Sequence, residues 1–370
     1  MGEGMATAVR PTTQARIEGY DLARAIAFLG MVFVNFRVAI VPGAGGPAWL
    51  YGLVTRLDGR AAATFVIIAG VGLSLVSRRA RESGDLLAIA LVRRRLWRRA
   101  AILFVTGLLY WAVWPADILH DYGVYIAIGA LLLDMSGRRL WALAAALVLA
   151  YPVLVILGPD YSSGWDFETL SYRGFWTPRG FVLNLLYNGF HPVVPWLAFL
   201  LVGMELGRRD VNDLGGWRRV LACGVAVAAC AETASWFLVR ATAPQLGQEE
   251  ATALFGTEAM PPLPLYMAAA TGTAFAVIAL SVLIAQRAAG ARWLEPLVAT
   301  GQLALTLYVA HVMVGLVPLE LMGLPEGRRT LVFAVLWSVA FCAGAVVFAY
   351  PWRRRFPRGP LEELFRRLNG

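Results

Sequence analysis

The sequence predicts an all-α, polytopic integral membrane protein, a helical bundle of about ten transmembrane helices with both termini cytoplasmic. Three observations predict it. Of the 370 residues, 59% are hydrophobic and only 15% are charged, a balance that does not suit a soluble globule of this length. Apolar runs of about twenty residues recur along the chain, each long enough to cross roughly 30 Å of hydrocarbon. Between them, positive charge gathers in alternate connections, as the positive-inside rule requires. No lysine occurs, so the net charge of +9 rests on guanidinium groups alone. Lying in short connections between apolar runs, these groups read as topology determinants rather than as a nucleic-acid-binding surface. Arginine-only usage is what GC-rich coding would produce, so the expected location is the plasma membrane of a bacterium.

The runs place helices near 22–41, 61–77, 100–115, 118–135, 140–158, 181–206, 218–239, 264–286, 297–321 and 330–351. One set of connections carries Arg78, Arg79, Arg81, Arg93, Arg94, Arg95, Arg98 and Arg99, then Arg138/Arg139, Arg208/Arg209, Arg218/Arg219, Arg287/Arg292 and the Arg353-Arg354-Arg355 tail. That set is expected in the cytoplasm. The other connections, 42–60, 116–117, 159–180, 240–263 and 322–329, are poorer in arginine and richer in Gly, Pro, Trp and acids, and are expected outside. Trp114-Pro115-Ala116-Asp117 joins the third and fourth spans as a tight outer hairpin. The first run lacks a small-residue cleavage site, so it is expected to remain as an anchor. Residues 1–370 are expected to form one domain with short tails at 1–20 and 352–370. Cys223, Cys230 and Cys342 sit in apolar runs without CxxC spacing, which favours packing over metal or disulfide chemistry. No metal site is expected.

The first run carries Asp21 and Arg24 at its inner mouth and Asn35 and Arg37 in its outer half. Such groups are costly in hydrocarbon and should face protein or water, so this span reads as one wall of a site. The three histidines lie in the outer half too. His120 opens the fourth span, and His191 follows Asn188-Gly189-Phe190 and precedes Pro192. His311 is about fourteen residues into the ninth span, roughly 21 Å from the inner surface. A cavity shared with Asn35 and open to the outside is the economical arrangement.

The densest chemistry is in Asp117-Ile118-Leu119-His120-Asp121-Tyr122. Positions 117 and 120 share a helix face, or form a cap and its first turn. A carboxylate there can fix the imidazole tautomer and stabilise the imidazolium of a general base; alternatively, Asp117 only caps the fourth helix. His191 and His311 can equally be structural, satisfying a carbonyl at a helix break. Asp21 and Arg24, at i and i+3, can pair to fix a helix end. Asp58 and Arg60 can cap and pair locally. Glu232 is an intramembrane acid that can pair with Arg240. Tyr161, Trp165, Phe167, Tyr172, Phe175 and Trp176 either stack on sugar rings or form an interfacial belt.

Four stretches then stand in order along the chain. They are Arg16-Ile17-Glu18-Gly19-Tyr20-Asp21-Leu22-Ala23-Arg24 with Gly30 and Val34-Asn35-Phe36; Leu57-Asp58-Gly59-Arg60-Ala61 leading to Phe65 and Ala69-Gly70-Val71-Gly72; Asp117-Ile118-Leu119-His120 with Tyr122; and Thr300-Gly301-Gln302-Leu303-Ala304-Leu305-Thr306-Leu307-Tyr308 with His311. With the closing Arg358-Gly359-Pro360-Leu361-Glu362, the chain resembles the bacterial YeiB-type membrane proteins and the heparan-alpha-glucosaminide N-acetyltransferase-like group, members of a transmembrane acyltransferase superfamily. The resemblance implies an enzyme that takes an acyl group, usually acetyl, from cytoplasmic acyl-CoA and passes it to an extracytoplasmic glycan or related acceptor. It also implies a place at the outer mouth of the site for Asp58 and Arg60. Acetyl-CoA is then the co-substrate; the lipid bilayer and the acceptor are partners, and a homodimer is left open. Two positions depart from the family pattern. Arg24 is followed by Ala25 rather than Gly, and the histidine in the first luminal loop of the lysosomal enzyme has no counterpart between Pro42 and Arg60. His120 is the expected substitute.

Transfer from a thioester needs a base for the acceptor and donors for the developing oxyanion. His120 with Asp117 can supply the first, and Asn35, Arg60 or Tyr122 the second, with His191 and His311 as further candidates. The donor's phosphates need a basic surface. Arg24, Arg93, Arg94 and Arg95 are expected to form it, with Arg60 and Tyr122 toward the thioester, although contact with anionic lipid would explain the same arginines. A secondary transporter or a non-catalytic glycan- or lipid-binding membrane protein would share the helices and buried charges. Transporters often pair Gly/Pro-interrupted half-helices in corresponding halves, and no such pair is evident here.

Overall fold

A computed structural model describes residues 17–41, 46–166, 171–323 and 330–369; Arg16 of the opening motif, most of the N-terminal tail and Phe167 of the aromatic loop lie outside the described residues. The chain runs through α1 (Glu18–Ile40), α2 (Ala48–Thr55), α3 (Arg60–Ser83), α4 (Leu86–Trp111), α5 (Leu119–Leu131) and α6 (Gly137–Leu157). A two-stranded antiparallel hairpin follows, β1 (Trp165–Asp166) against β2 (Ser171–Tyr172). Next come α7 (Pro178–Leu183), a π-helical turn (Asn184–Asn188), α8 (Val193–Leu206), α9 (Leu214–Leu246), α10 (Gln248–Phe255) and α11 (Pro264–Arg287). The last part holds α12 (Glu295–Gln302), α13 (Ala304–Ala310), a second π-helical turn (His311–Leu316), α14 (Val317–Leu321), α15 (Leu331–Arg355) and α16 (Pro360–Asn369).

Each apolar run of the sequence is helical. Among the described residues, seven helices are long and apolar enough to cross a membrane, or eight if the pair Pro178–Asn188 and Val193–Leu206, bent by 47°, is one span. The difference from ten has a physical cause. α4 carries five arginines between Arg93 and Arg99, and α5, at 13 residues, reaches only roughly 20 Å. The arginine-dense stretch from Arg78 to Arg99, read from the sequence as a connection, is mostly helix: α3 continues to Ser83, Gly84 turns with φ 66°, and Asp85 caps α4 through the Leu87 amide (2.8 Å). Apolar run length finds the part of a helix that lipid covers, and not the charged turns that continue it.

The second difference is in the breaks. α7 and α8 meet at an angle across residues 189–192, and the stretch from α12 to α14 is interrupted at Leu303 and again at the π-turn. The interrupted helices not evident in the sequence are therefore present. The break at residues 189–192 carries Gly189 and Pro192 and the second π-turn carries Gly315, whereas Leu303 itself is neither Gly nor Pro.

The core lies among α1, α3, α8 and α11, where Phe28, Val32, Ile67, Phe199, Leu200 and Ile278 are fully buried. α6, α9 and α15 leave most of their apolar residues outside, a surface for lipid. α3 and α8 approach through two glycines. A Cβ on Gly70 would strike the Leu200 carbonyl, and one on Gly203 the Ile67 carbonyl, the close packing that small residues permit between membrane helices. At one end of the bundle Arg24 pairs with Asp21 (2.6 Å), Gln302 donates to Asp21 (2.9 Å) and Arg353 donates to Gln302 (2.6 Å). Arg208 reaches the Met135 carbonyl at 2.7 Å. At the other end Arg37 pairs with Asp58 (2.7 Å) and Arg60 with Glu232.

Candidate active site

The turn between α4 and α5 positions the first part of the site. The Asp117 amide donates to the Trp114 carbonyl (3.1 Å), closing the hairpin expected from Trp114-Pro115-Ala116-Asp117. α4 lies close enough that a Cβ on Gly107 would strike the His120 backbone nitrogen. Asp117 Oδ2 accepts from the Leu119 amide (2.9 Å) and the His120 amide (3.3 Å), and lies 3.3 Å from His120 Nδ1. Asp117 Oδ2 thus serves the first two amides of α5 and also lies within reach of the imidazole. His120 Nε2 lies 3.6 Å from Asp121 Oδ2 and has no hydrogen-bond partner. Asp117, His120 and Asp121 are all buried. Phe175 of the outer aromatic loop packs edge-on against His120, with centroids 6.0 Å apart.

A second limb comes from α1 and α13. His311 Nδ1 contacts the Tyr308 carbonyl, and Asn35 Nδ2 lies 2.8 Å from His311 Nε2. A carbonyl can only accept, so these partners assign the proton to Nδ1 and leave Nε2 to accept from the Asn35 amide. The Tyr308 hydroxyl donates to Asp117 Oδ1 (3.3 Å) and accepts from the Ile118 amide (3.3 Å). Two polar links, Asn35–His311–Tyr308 carbonyl and Tyr308 hydroxyl–Asp117–His120, thus share Tyr308 across otherwise apolar packing. His191 stands beside them. With Asn35, Gly59, Ala62, Ile118 and Tyr308 it lines a cavity of about 50 Å³, and its Nδ1 is buried without a partner. The Tyr125 hydroxyl holds the His191 carbonyl, and Trp196 meets the ring edge-on at 4.6 Å.

The structure thus brings together Asn35, Asp117, His120, His191 and His311, and separates them from the arginines. Arg37, two positions from Asn35, turns instead to Asp58. Arg60 binds Glu232 and Thr257 (3.2 Å). Asp58 and Arg60 do not pair with each other, because Gly59 (φ 66°) reverses the chain between them and each finds a partner on another helix. Glu232 pairs with Arg56 and Arg60 rather than Arg240, which stacks on Trp236 at 3.8 Å. Arg24 stays at the opposite end with Asp21. Arg93 ties α4 to the end of α5 through the Ala130 carbonyl (3.0 Å) and Asp134 (3.3 Å), while Arg94 and Arg95 are exposed. Tyr122 is buried against Phe65, within electrostatic range of both Arg24 and Arg99. A larger cavity of about 590 Å³ at the arginine-rich end is lined by Glu18, Arg78, Arg79, Glu82, Asn212 and Gln286.

Sequence reasoning did not single out Tyr308 as a link or Asp121 as the second carboxylate on His120. The signal was present for both: Tyr308 is three residues before His311 on the same helix face, and Asp121 directly follows His120. Of the aromatic loop, Trp165 donates to the Asn188 carbonyl (2.6 Å), Tyr172 to the Asn188 side chain (2.9 Å), and Phe175 stacks on Trp111 at 3.9 Å, leaving Trp176 exposed. Among the described residues no group of His, Cys, Asp and Glu could hold a metal ion.

Fold and site together define a multi-pass, all-α membrane protein with a buried imidazole–carboxylate centre. Residues 16–226, more than half of the chain, match the family described as heparan-alpha-glucosaminide N-acetyltransferase, catalytic, and the chain belongs to that family. Residues 209–369 match DUF418, a family described as protein of unknown function. Asn35, Asp117, His120 and His191 fall in the first match and Tyr308 and His311 in the second, so the polar links are assembled from both. No curated protein matches the chain. The similarity to transmembrane acyltransferases carried by the four motifs is borne out, and the family is that of an acetyltransferase-like membrane enzyme.

Proposed function

We propose that this protein transfers an acetyl group from cytoplasmic acetyl-CoA to the amine or hydroxyl of a glycan or related acceptor outside a bacterial plasma membrane. The observation that carries this reading is the Asp117–His120 pair: a carboxylate on Nδ1 and an unpartnered Nε2, both buried. Nε2 takes the proton of the acceptor as its nitrogen or oxygen attacks the thioester carbonyl. The C–S bond then breaks, and the proton passes to the departing CoA thiolate. Asp117 holds the imidazole tautomer and offsets its charge while the proton is in transit. The arginine-rich end of the bundle faces the cytosol, together with both termini, and its 590 Å³ cavity, with Arg78, Arg79 and Gln286, offers charge and hydrogen bonds for the phosphorylated end of the donor.

Thermal-shift titration of the purified protein with acetyl-CoA, succinyl-CoA and free CoA tests this. Binding at a hundredfold excess over Kd adds about 2.7 kcal/mol of apparent stability, and Arg78→Ala with Arg79→Ala should cut that gain. No shift with any of the three overturns the reading. The broken helices around residues 189–192 and Leu303 favour one alternative, a secondary transporter, which predicts substrate flux in sealed vesicles and no release of CoA.

A further inference from the structure

We infer that α16 lies in the plane of the bilayer at its arginine-rich face, seated on anionic phospholipid, and that this seat keeps Glu362 on the start of α13. The inference goes beyond the acyltransferase reading and does not rest on it. α16 is pinned to the bundle rather than trailing from it. Trp352 donates to the Arg358 carbonyl (2.9 Å) and Arg353 to the Phe356 carbonyl (2.8 Å), which folds the turn after α15 back on itself. The Leu361 amide then donates to the Thr306 hydroxyl (3.1 Å), Phe365 packs on the core, and the helix touches α4.

At about 100° per residue, the ten residues of α16 divide into three sectors. Glu362 and Phe365 face the bundle. Leu364 and Leu368, one turn apart, stand beside that sector and are 48% and 59% exposed. Glu363, Arg366 and Arg367 make the third, with Glu363 paired to both arginines and to Arg358. A helix with protein on one side needs an apolar medium under its leucines and water over its arginines, and the membrane interface offers both. α4 and α15, its neighbours in packing and in sequence, expose Trp97, Val347 and Phe348, so α16 is joined to helices that lipid already covers.

Charge selects the kind of lipid. Around α16, Glu363 is one carboxylate among three guanidinium groups, and α4 adds Arg94, Arg95, Arg98 and Arg99, all exposed. Positive charge in excess beside an amphipathic helix matches the phosphates of an anionic leaflet. The consequence reaches inward through Glu362, which accepts from the Leu305 and Thr306 amides at the uncapped start of α13. α13 carries the Tyr308 hydroxyl to Asp117, so lipid that holds α16 also steadies that contact.

Amide exchange of the full-length protein in phosphatidylcholine vesicles, compared with vesicles that also contain phosphatidylglycerol, tests this. Exchange over 304–311 and over 360–369 should slow at least about tenfold when phosphatidylglycerol is present, and high salt should remove most of that gain. The ratio between the two lipid compositions is the readout, because a variant that only weakens packing speeds exchange in both. Arg366→Gln with Arg367→Gln, and separately Leu364→Ser with Leu368→Ser, should abolish the gain while α5 keeps its protection. Glu362→Ala should keep the gain over 360–369 and lose it over 304–311. Equal exchange of the wild type in the two compositions overturns the inference, and is the result expected if a soluble protein covers the leucines instead. A gain over 360–369 with none over 304–311 in the wild type overturns the link to α13. Neither result depends on acetyl transfer, so failure of the acyltransferase reading is read separately, from the absence of thioester binding.

Discussion

At His120 the two imidazole nitrogens meet different surroundings: Asp117 on Nδ1 through a hydrogen bond, Asp121 near Nε2 without one. Substituting Asp117→Asn separates the two tasks of that side chain. Asparagine caps a helix about as well as aspartate, so α5 should keep its start and stability should change by less than about 1 kcal/mol. Its amide cannot hold the imidazole in the required tautomer, and turnover should fall by up to about 10⁴-fold. Chemical denaturation and initial rates measured on the same preparation check both halves. The Asp117–His120 relation was legible in the sequence because it is local, three residues on one helix. Asn35 and His311, 276 residues apart, were placed only at a common depth. Run length gives depth and leaves rotation about the helix axis open, which is why Arg37 was grouped with Asn35 although it faces Asp58.

The element that carries Tyr308 and leads into His311 is short and has no cap of its own. α13 has seven residues between the break at Leu303 and the π-turn at His311, and its N-terminus lacks a local side-chain cap. Glu362 of α16 supplies one, accepting from the Leu305 amide (2.9 Å), the Thr306 amide (3.1 Å) and the Thr306 hydroxyl. Hydrogen bonds to a charged group contribute about 1.5–3 kcal/mol each, so Glu362→Ala should loosen α13 and raise amide exchange over 304–311 while leaving α5 protected. At the neighbouring Glu363, hydrogen bonds from Arg366, then Arg367, bring the carboxyl down to about 2. A depressed carboxylate contributes above its unfolded value and loses that contribution as pH falls through about 2. Protection factors in α16, corrected for the intrinsic pH dependence of amide exchange, should therefore be the same at pH 6 and pH 8, and a difference would contradict this role for the Glu363 cluster. The motif around Glu362 was legible, but its partner was not, since nothing local links it to Thr306.

Over the whole molecule, alternating charge and apolar run length captured the order of helices and their sorting into two ends. They missed the continuity of α3 and α4 beyond the apolar part and the approach of α3 to α8 at Gly70 and Gly203. Gly203→Val should separate those helices and cost a few kcal/mol, in the range of an overpacked core, read as a lower unfolding midpoint in detergent. The sided arrangement, with most arginines at one end and the imidazoles toward the other beside Arg37, Arg56 and Arg60, is what the proposed transfer across the membrane requires. The most direct test of that account is single-turnover release of CoA thiol from acetyl-CoA by wild-type and His120→Ala protein reconstituted in liposomes. The account predicts that His120→Ala still binds acetyl-CoA but transfers acetyl about 10²- to 10⁴-fold more slowly; equal rates for the two proteins would contradict it.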